Sequence, residues 1–360
     1  MVKRYQDFCA EFGIDVPIFG FSHSVETVAA ITNAGGFGVY GATRRFDHEI
    51  TSELAQIRDM TGDRPYGVDL VIPARIPAEN NRAAMEKDVP QEHRDFINGM
   101  ISKYDVPEPS GPGKRTRFIR SQEIISAQVA AVENSDVSIV ALGIGSPPDV
   151  VARMKGAGKV TAALIGQERH AEKALAAGAD LLIAQGYDAG GHTGVVGTFS
   201  LVPRIVDMAG DIPVLAAGGV ATGRHIAASM AMGAVGVWLG TAFLLTEENA
   251  PHMSENQAQS LIDAGAIDTV VTRAESGKPF RQTRSAWSDE WAAPSAPRPL
   301  DHPLHDVLVG DVLGAIQEHN NKPLAHSGAG QGVGWFDRIR PTADVISQLW
   351  DEAKTVMAQL

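Results

Sequence analysis

The sequence predicts a closed eight-stranded (β/α) barrel, on three observations: eight short β-rich runs, helical stretches between them, and glycines where runs and helices stop. Strands joined through helices must pair in parallel, because a crossover returns the chain to the same end of the sheet. Eight such repeats favour closure over an open doubly wound sheet, which more often holds about five or six strands. The predicted fold class is therefore α/β, a (β/α)8 TIM barrel with an inserted lid or substrate subdomain.

Taken in chain order, the runs are Val16 to Phe21, Phe37 to Tyr40, Gly67 to Ile72, Val137 to Ala141, Val160 to Leu164, Asp180 to Ala184, Val214 to Ala217 and Gly236 to Leu239. Three intervening stretches carry helix punctuation. Ser24 to Ala34 begins on a hydroxyl suited to capping and stops at Gly35; Gln167 to Ala177 stops at Gly178; Arg224 to Met232 stops at Gly233. The eighth helix is displaced to the C-terminus. There Pro341 suits a first helical turn, and Val345, Ile346, Leu349, Trp350, Ala353, Val356 and Met357 form an apolar stripe.

Two segments break the rhythm. Pro73 to Arg120 carries Pro73, Pro77, Pro90, Pro107, Pro109 and Pro112 with a Gly-Pro-Gly turn at Gly111, too irregular for one barrel helix but long enough for a helical flap. From about Thr246 to His326 the chain holds Trp287, Trp291 and the proline-rich tract Pro294 to Pro303. Both leave from the carboxyl ends of strands, where barrel active sites lie. The expected division is a barrel over 1–75, 120–245 and 327–360, and a lid over 76–119 and 246–326.

A formal charge of -12 across 360 residues repels phosphate backbones and anionic bilayers over most of the surface, so neither nucleic acid nor membrane is an expected partner. No apolar run is long enough to span a bilayer. Cys9 is the only cysteine, which excludes an internal disulfide or a cysteine metal cluster, and Met1 is followed by Lys3, Arg4 and Asp7 rather than an apolar signal core. The expectation is a soluble cytoplasmic protein. Oligomeric state, a homodimer included, is left open.

The chemistry concentrates in three loops. Gln185-Gly186-Tyr187-Asp188-Ala189-Gly190-Gly191-His192-Thr193-Gly194 sets one imidazole in a glycine-rich turn directly after a strand. Such glycines let a flat ligand approach the backbone, and histidine titrates near neutral pH. Ala216 to Arg224, containing Gly218 and Gly219, ends the seventh strand, and Gly240-Thr241 ends the eighth. Barrels commonly hold a phosphate at those two positions on main-chain N–H groups and a helix N-terminus. A few charge-assisted bonds of about 1.5 to 3 kcal/mol each would retain it without a lysine.

These residues resemble the nitronate monooxygenases, FMN-dependent (β/α) barrel flavoproteins, over nearly the whole chain. The resemblance is carried by Ile31-Thr32-Asn33-Ala34-Gly35-Gly36-Phe37-Gly38, the Gln185 to Gly194 loop, Ala216 to Arg224, Met232-Gly233-Ala234 through Gly240-Thr241, Asp268 to Arg273 with Gly277-Lys278-Pro279, and Gly328 to Gly334. It implies flavin contacts from Gly20, Asp69, Gln185, Gly190 and Gly191. It implies a phosphate cradle from Gly218, Gly219, Trp238, Leu239, Gly240 and Thr241, with His192 as the active-site base and no metal. Two departures stand out: Phe19-Gly20-Phe21-Ser22-His23 replaces an Ala-Pro-Met flavin floor, and Asp69 replaces an asparagine. The implied reaction passes an electron from an alkyl nitronate to FMN, then reacts with molecular oxygen and yields a carbonyl compound and nitrite, the cofactor carrying the chemistry. NADH-dependent FMN reductases acting on enoyl-acyl-carrier-protein or quinones share the glycine-histidine loop, and a non-catalytic flavin-binding barrel is a third class.

Other residues have weaker claims. Asp301-His302 and His305-Asp306 read as an exposed polar turn rather than metal ligands. Trp287 and Trp291 read as lid packing. His23 suits either the flavin or a helix cap, Arg224 either the phosphate or a surface acid, and His170 and His225 read as surface residues in helices.

Overall fold

The computed structural model describes residues 5–73, 76–112, 117 and 119–359. The barrel expectation also touched 1–4 and 74–75, and the flap expectation 113–116 and 118, Gly113 of the Gly-Pro-Gly turn among them; these lie outside the described residues.

Helix α1 (Tyr5–Phe12) precedes the first strand, β1 (Ile18–Ser22), followed by α2 (Val25–Asn33), β2 (Phe37–Gly41), α3 (Asp47–Thr61) and β3 (Gly67–Val71). The first insertion carries α4 (Arg82–Lys87) and α5 (Gln91–Lys103). The barrel resumes with α6 (Gln122–Glu133), β4 (Ile139–Gly143), α7 (Pro148–Gly156), β5 (Val160–Ile165), α8 (Glu168–Ala176) and β6 (Leu181–Gln185). A two-residue strand β7 (Gly191–His192) comes next, then α9 (Thr198–Ala209), β8 (Val214–Ala217), α10 (Gly223–Ala231) and β9 (Gly236–Leu239). Helix α11 (Glu255–Ile262), hairpin strands β10 (Thr269–Thr272) and β11 (Phe280–Thr283), α12 (Ala286–Ala292) and α13 (Leu304–Glu318) make the second insertion, and α14 (Thr342–Met357) ends the chain.

Strands β1 to β6, β8 and β9 close a parallel barrel in chain order, as expected. Closure is made by β1 against β9, with Phe19 opposite Trp238. Two strands match the sequence bounds, Val214–Ala217 and Gly236–Leu239. The fourth is shifted two residues onward, because Ser138 donates to Tyr66 below the ladder before regular pairing begins. Ser24 caps α2 through a bond from the Thr27 N–H at 3.0 Å. Helix α14 packs on α10 and α2, the slot of the missing eighth helix, with Pro341 as N-cap rather than inside the first turn.

Most of the barrel interior is filled by apolar side chains, among them Phe19, Phe37, Val39, Ile139, Ala141, Leu181, Ile183, Leu215, Ala217 and Trp238. Phe8 of α1 meets Phe19 at 5.8 Å, so α1 plugs the end at which the strands start. Chemistry is thereby confined to the opposite mouth. Above that mouth the two insertions share one core: Ile97 and Met100 of α5 pack with Trp287, Trp291, Val309 and Val312.

Candidate active site

The glycine-histidine loop rises from the carboxyl end of β6 and is held at both ends. Gln185 Nε2 donates to His192 O at 2.9 Å, and Asp188 Oδ2 accepts from the Thr198 N–H at 3.0 Å where α9 starts. Thr198 Oγ1 in turn donates to Gly218 O at 2.9 Å, tying this loop to the one after β8.

His192 is positioned by the second insertion. Hairpin β10–β11 lies antiparallel to β7, with Phe280 opposite His192 and Arg281 opposite Gly191. At the turn end of that hairpin, buried Ser276 places Oγ 2.8 Å from His192 Nε2, and Phe280 meets the imidazole edge-on at 5.2 Å. Buried Arg281 lies over the Tyr187 ring at 4.4 Å and donates to Tyr187 O at 3.0 Å. A two-residue strand has no readable periodicity, so Ser276, Phe280 and Arg281 were missed. The nearest signal was the Asp268 to Pro279 segment, which carried resemblance without a pairing partner.

The loops after β8 and β9 open at the same mouth, because the two strands are parallel neighbours. Gly218 and Gly219 have φ of +97° and +73°, a region open chiefly to glycine. Among the described residues, the N–H groups of Gly219, Val220, Gly240 and Thr241 donate to no main-chain carbonyl. Four free donors beside the start of α10 suit an anion, and a β-carbon on Gly240 would come no nearer than 4.0 Å to any neighbour, Phe21 Cδ1. The Gly328 to Gly334 stretch joins them: Gly330 N donates to Thr241 Oγ1 at 2.9 Å, and Gln331 N to Asp188 O at 2.9 Å. At Gly190 an added β-carbon would sit 2.6 Å from Ala329 C and Gly330 N, so only glycine permits this contact. These open cradles and unpaired amides fit a phosphate-tailed planar cofactor.

Not every candidate faces the mouth. Trp238 turns inward and stacks near Phe21 at 6.0 Å, while Leu239 faces the helix layer. Gly20 likewise abuts Ile31 and Phe243 in the strand-helix seam, leaving only its backbone for a ligand. Gly191 of β7 pairs with Arg281 of β11. Asp69 occupies an inward position on β3, since Val68 and Leu70 on either side pack outward. It is 5% exposed, and burial pushes its carboxyl up to about 7 against the pull of Arg120.

The other residues are placed as follows. His305 is fully buried and contacts Ala274 O at 2.8 Å, while Asp306 meets Arg44 and His302, each at 3.3 Å. The expected exposed turn holds at Asp301 but not at His305 and Asp306, which the packing of the first turn of α13 covers. Trp287 and Trp291 pack, with Trp291 against Phe96 at 4.7 Å. His23 contacts Gly41 O at 2.7 Å and caps nothing, that role being taken by Ser24. Arg224 pairs with Glu352 at 3.3 Å, and His225 is half-buried against Thr222. His170 meets Gln167.

A closed barrel with an imidazole and turns of unengaged amides at one mouth has the layout of a cofactor-dependent enzyme. The nitronate monooxygenase sequence profile matches residues 4–352, and the chain belongs to that family of flavin-dependent oxidoreductases. A Mycobacterium tuberculosis protein named as a monooxygenase is 38% identical, over 97% of this chain and 96% of its own. A Staphylococcus aureus protein named as a nitronate monooxygenase is 29% identical, over 93% and 92%. Among solved structures, nitroalkane oxidase from Streptomyces ansochromogenes superposes with a TM-score of 0.81 at 27% identity, covering 98% of this chain and 100% of its own. FabK from Thermotoga maritima, at 24% identity and TM-score 0.75 over 100% and 98%, shares the fold.

Proposed function

We propose that this chain oxidises alkyl nitronates with bound FMN and molecular oxygen, releasing a carbonyl compound and nitrite. The observation that carries the reading is the convergence of His192, held by Ser276, with the free amides of Gly219, Val220, Gly240 and Thr241 at one mouth. Those amides and the start of α10 would hold the phosphate, Gln185 and Gly190 would border the ring, and bound FMN supplies the electron acceptance that no side chain here offers. The barrel, 1–75 with 120–245 and 327–360, would carry the cofactor. Segments 76–119 and 246–326 would form the lid that excludes water and selects the substrate. The reading places the enzyme in the cytoplasm, in keeping with the free, buried Cys9.

His192 has two available roles. As imidazolium it stabilises the nitronate anion, and activity falls as pH rises through the imidazole range; as neutral imidazole it takes a proton from a nitroalkane, and activity rises. His192→Asn removes the pH limb in either case, and an unchanged profile would eliminate both roles.

The deciding experiment reduces purified yellow protein anaerobically with an alkyl nitronate and, in a parallel cuvette, with NADH. Bleaching by nitronate alone is expected. Bleaching by NADH alone would make the protein a reductase, and bleaching by neither would leave a flavin-binding barrel.

A further inference from the structure

Just inside the barrel, below its mouth, β3 carries a buried acid that the proposed reaction does not use. Asp69 lies between Gly41 of β2 and Ala141 of β4, and Gly143 beyond it presents no side chain: a β-carbon there would already be 3.6 Å from Asp69 Oδ1. That oxygen is sealed from solvent with no hydrogen-bond partner among the described residues. A buried carboxylate so placed would lack the bonds that stabilise its charge, whereas the protonated acid presents a donor.

The charged groups around it do not neutralise it. Arg120, on the segment leading into α6, acts on Asp69 and Asp306 electrostatically, and burial holds its guanidinium below its usual range. Lys278 at the hairpin turn is lowered by burial and then by Arg120. Asp306 is already engaged by Arg44, from the loop after β2, and by His302 ahead of α13. His23, from the loop after β1, faces Gly41 O. Strand β4 places Ala141 opposite Asp69 and Gly143 beyond it, and neither carries a titratable side chain.

We propose that Asp69 is a proton-exchanging acid of the barrel, which takes up one proton from water when a negative charge is placed on a flavin held at the mouth. A carboxylate and a proton become a neutral acid, no other bond changes, and the like-charge repulsion is removed. Arg120 opposes the step by favouring the carboxylate.

The inference rests on a flavin lying at this mouth and not on nitronate being the substrate. The test is proton uptake during photochemical reduction of the flavin-loaded protein in weakly buffered indicator solution. At pH 8, wild type is expected to take up as much as one proton more per cofactor reduced than Asp69→Asn, and at pH 5 the two should agree. Equal uptake at both pH values overturns the proposal. Arg120→Gln gives an independent check, because losing the cation raises the midpoint and the excess over Asp69→Asn should appear at higher pH; an unmoved profile also counts against it. Should Asp69→Asn lose flavin, infrared difference spectra of the reduced wild type decide: a protonated carboxyl band gained at pH 8 supports the proposal, and its absence sinks it. Nitronate failing to bleach the flavin would refute the proposed substrate and leave this result intact.

Discussion

At the residue scale, the site depends on small polar groups whose value comes from burial. Ser276 fixes one imidazole nitrogen of His192 from the second insertion, so Ser276→Ala is expected to lower kcat/KM about fivefold, the size of one ordinary hydrogen bond of roughly 1 kcal/mol. The folded protein should keep its flavin spectrum. Steady-state kinetics beside that spectrum checks both halves. Asp69 makes a stability prediction as well. Its folded carboxyl titrates above the unfolded value, so the native state binds more protons and stability is lost as pH rises from about 4 toward about 7. Asp69→Asn removes that loss. Its melting temperature should exceed wild type at pH 8 by at least about 2 °C and match it near pH 4.

At the element scale, the cofactor mouth is a junction of loops rather than a property of any single strand. Gly190 lets the loop after β6 touch Ala329 and Gly330, and Gly330 then reaches Thr241. Gly190→Ala should push the Gly328 to Gly334 stretch outward and separate the two halves of the cradle. The expected outcome is at least tenfold weaker FMN binding by fluorescence titration with the far-ultraviolet dichroism of the barrel unchanged; retained affinity would show that the stretch is not part of the cradle. These elements also show what a sequence can disclose. Six-residue β5 and four-residue β8 announce themselves through apolar runs bounded by glycine or helix caps, whereas β7 is two residues whose strand character exists only because β11 pairs with them. The error at His305 and Asp306 has the same origin. Proline and charge suggest an exposed turn, and only the packing of α13 shows that His305 and Asp306 are covered.

At the scale of the whole molecule, one apolar core joins two insertions separated by most of the barrel. Trp287 is fully buried in that core, stacked on His326 and against Trp291 at 6.1 Å. Trp287→Ala should cost about 3 to 5 kcal/mol locally and loosen the lid without opening the barrel. Limited proteolysis is then expected to cut first within 76–119 or 246–326, and KM to rise through the slackened hold on His192. Cleavage first within the barrel helices would contradict this. Eight alternating strands and helices, and glycines at the ends of the sixth, seventh and eighth strands, were legible because backbone geometry and side-chain period are local constraints. Which groups face one another across the mouth was decided by the tertiary structure alone. Ser276 meets His192 from 84 residues away and buried Asp69 lies within the field of Arg120, contacts set by chain crossing and burial rather than by any neighbouring residue.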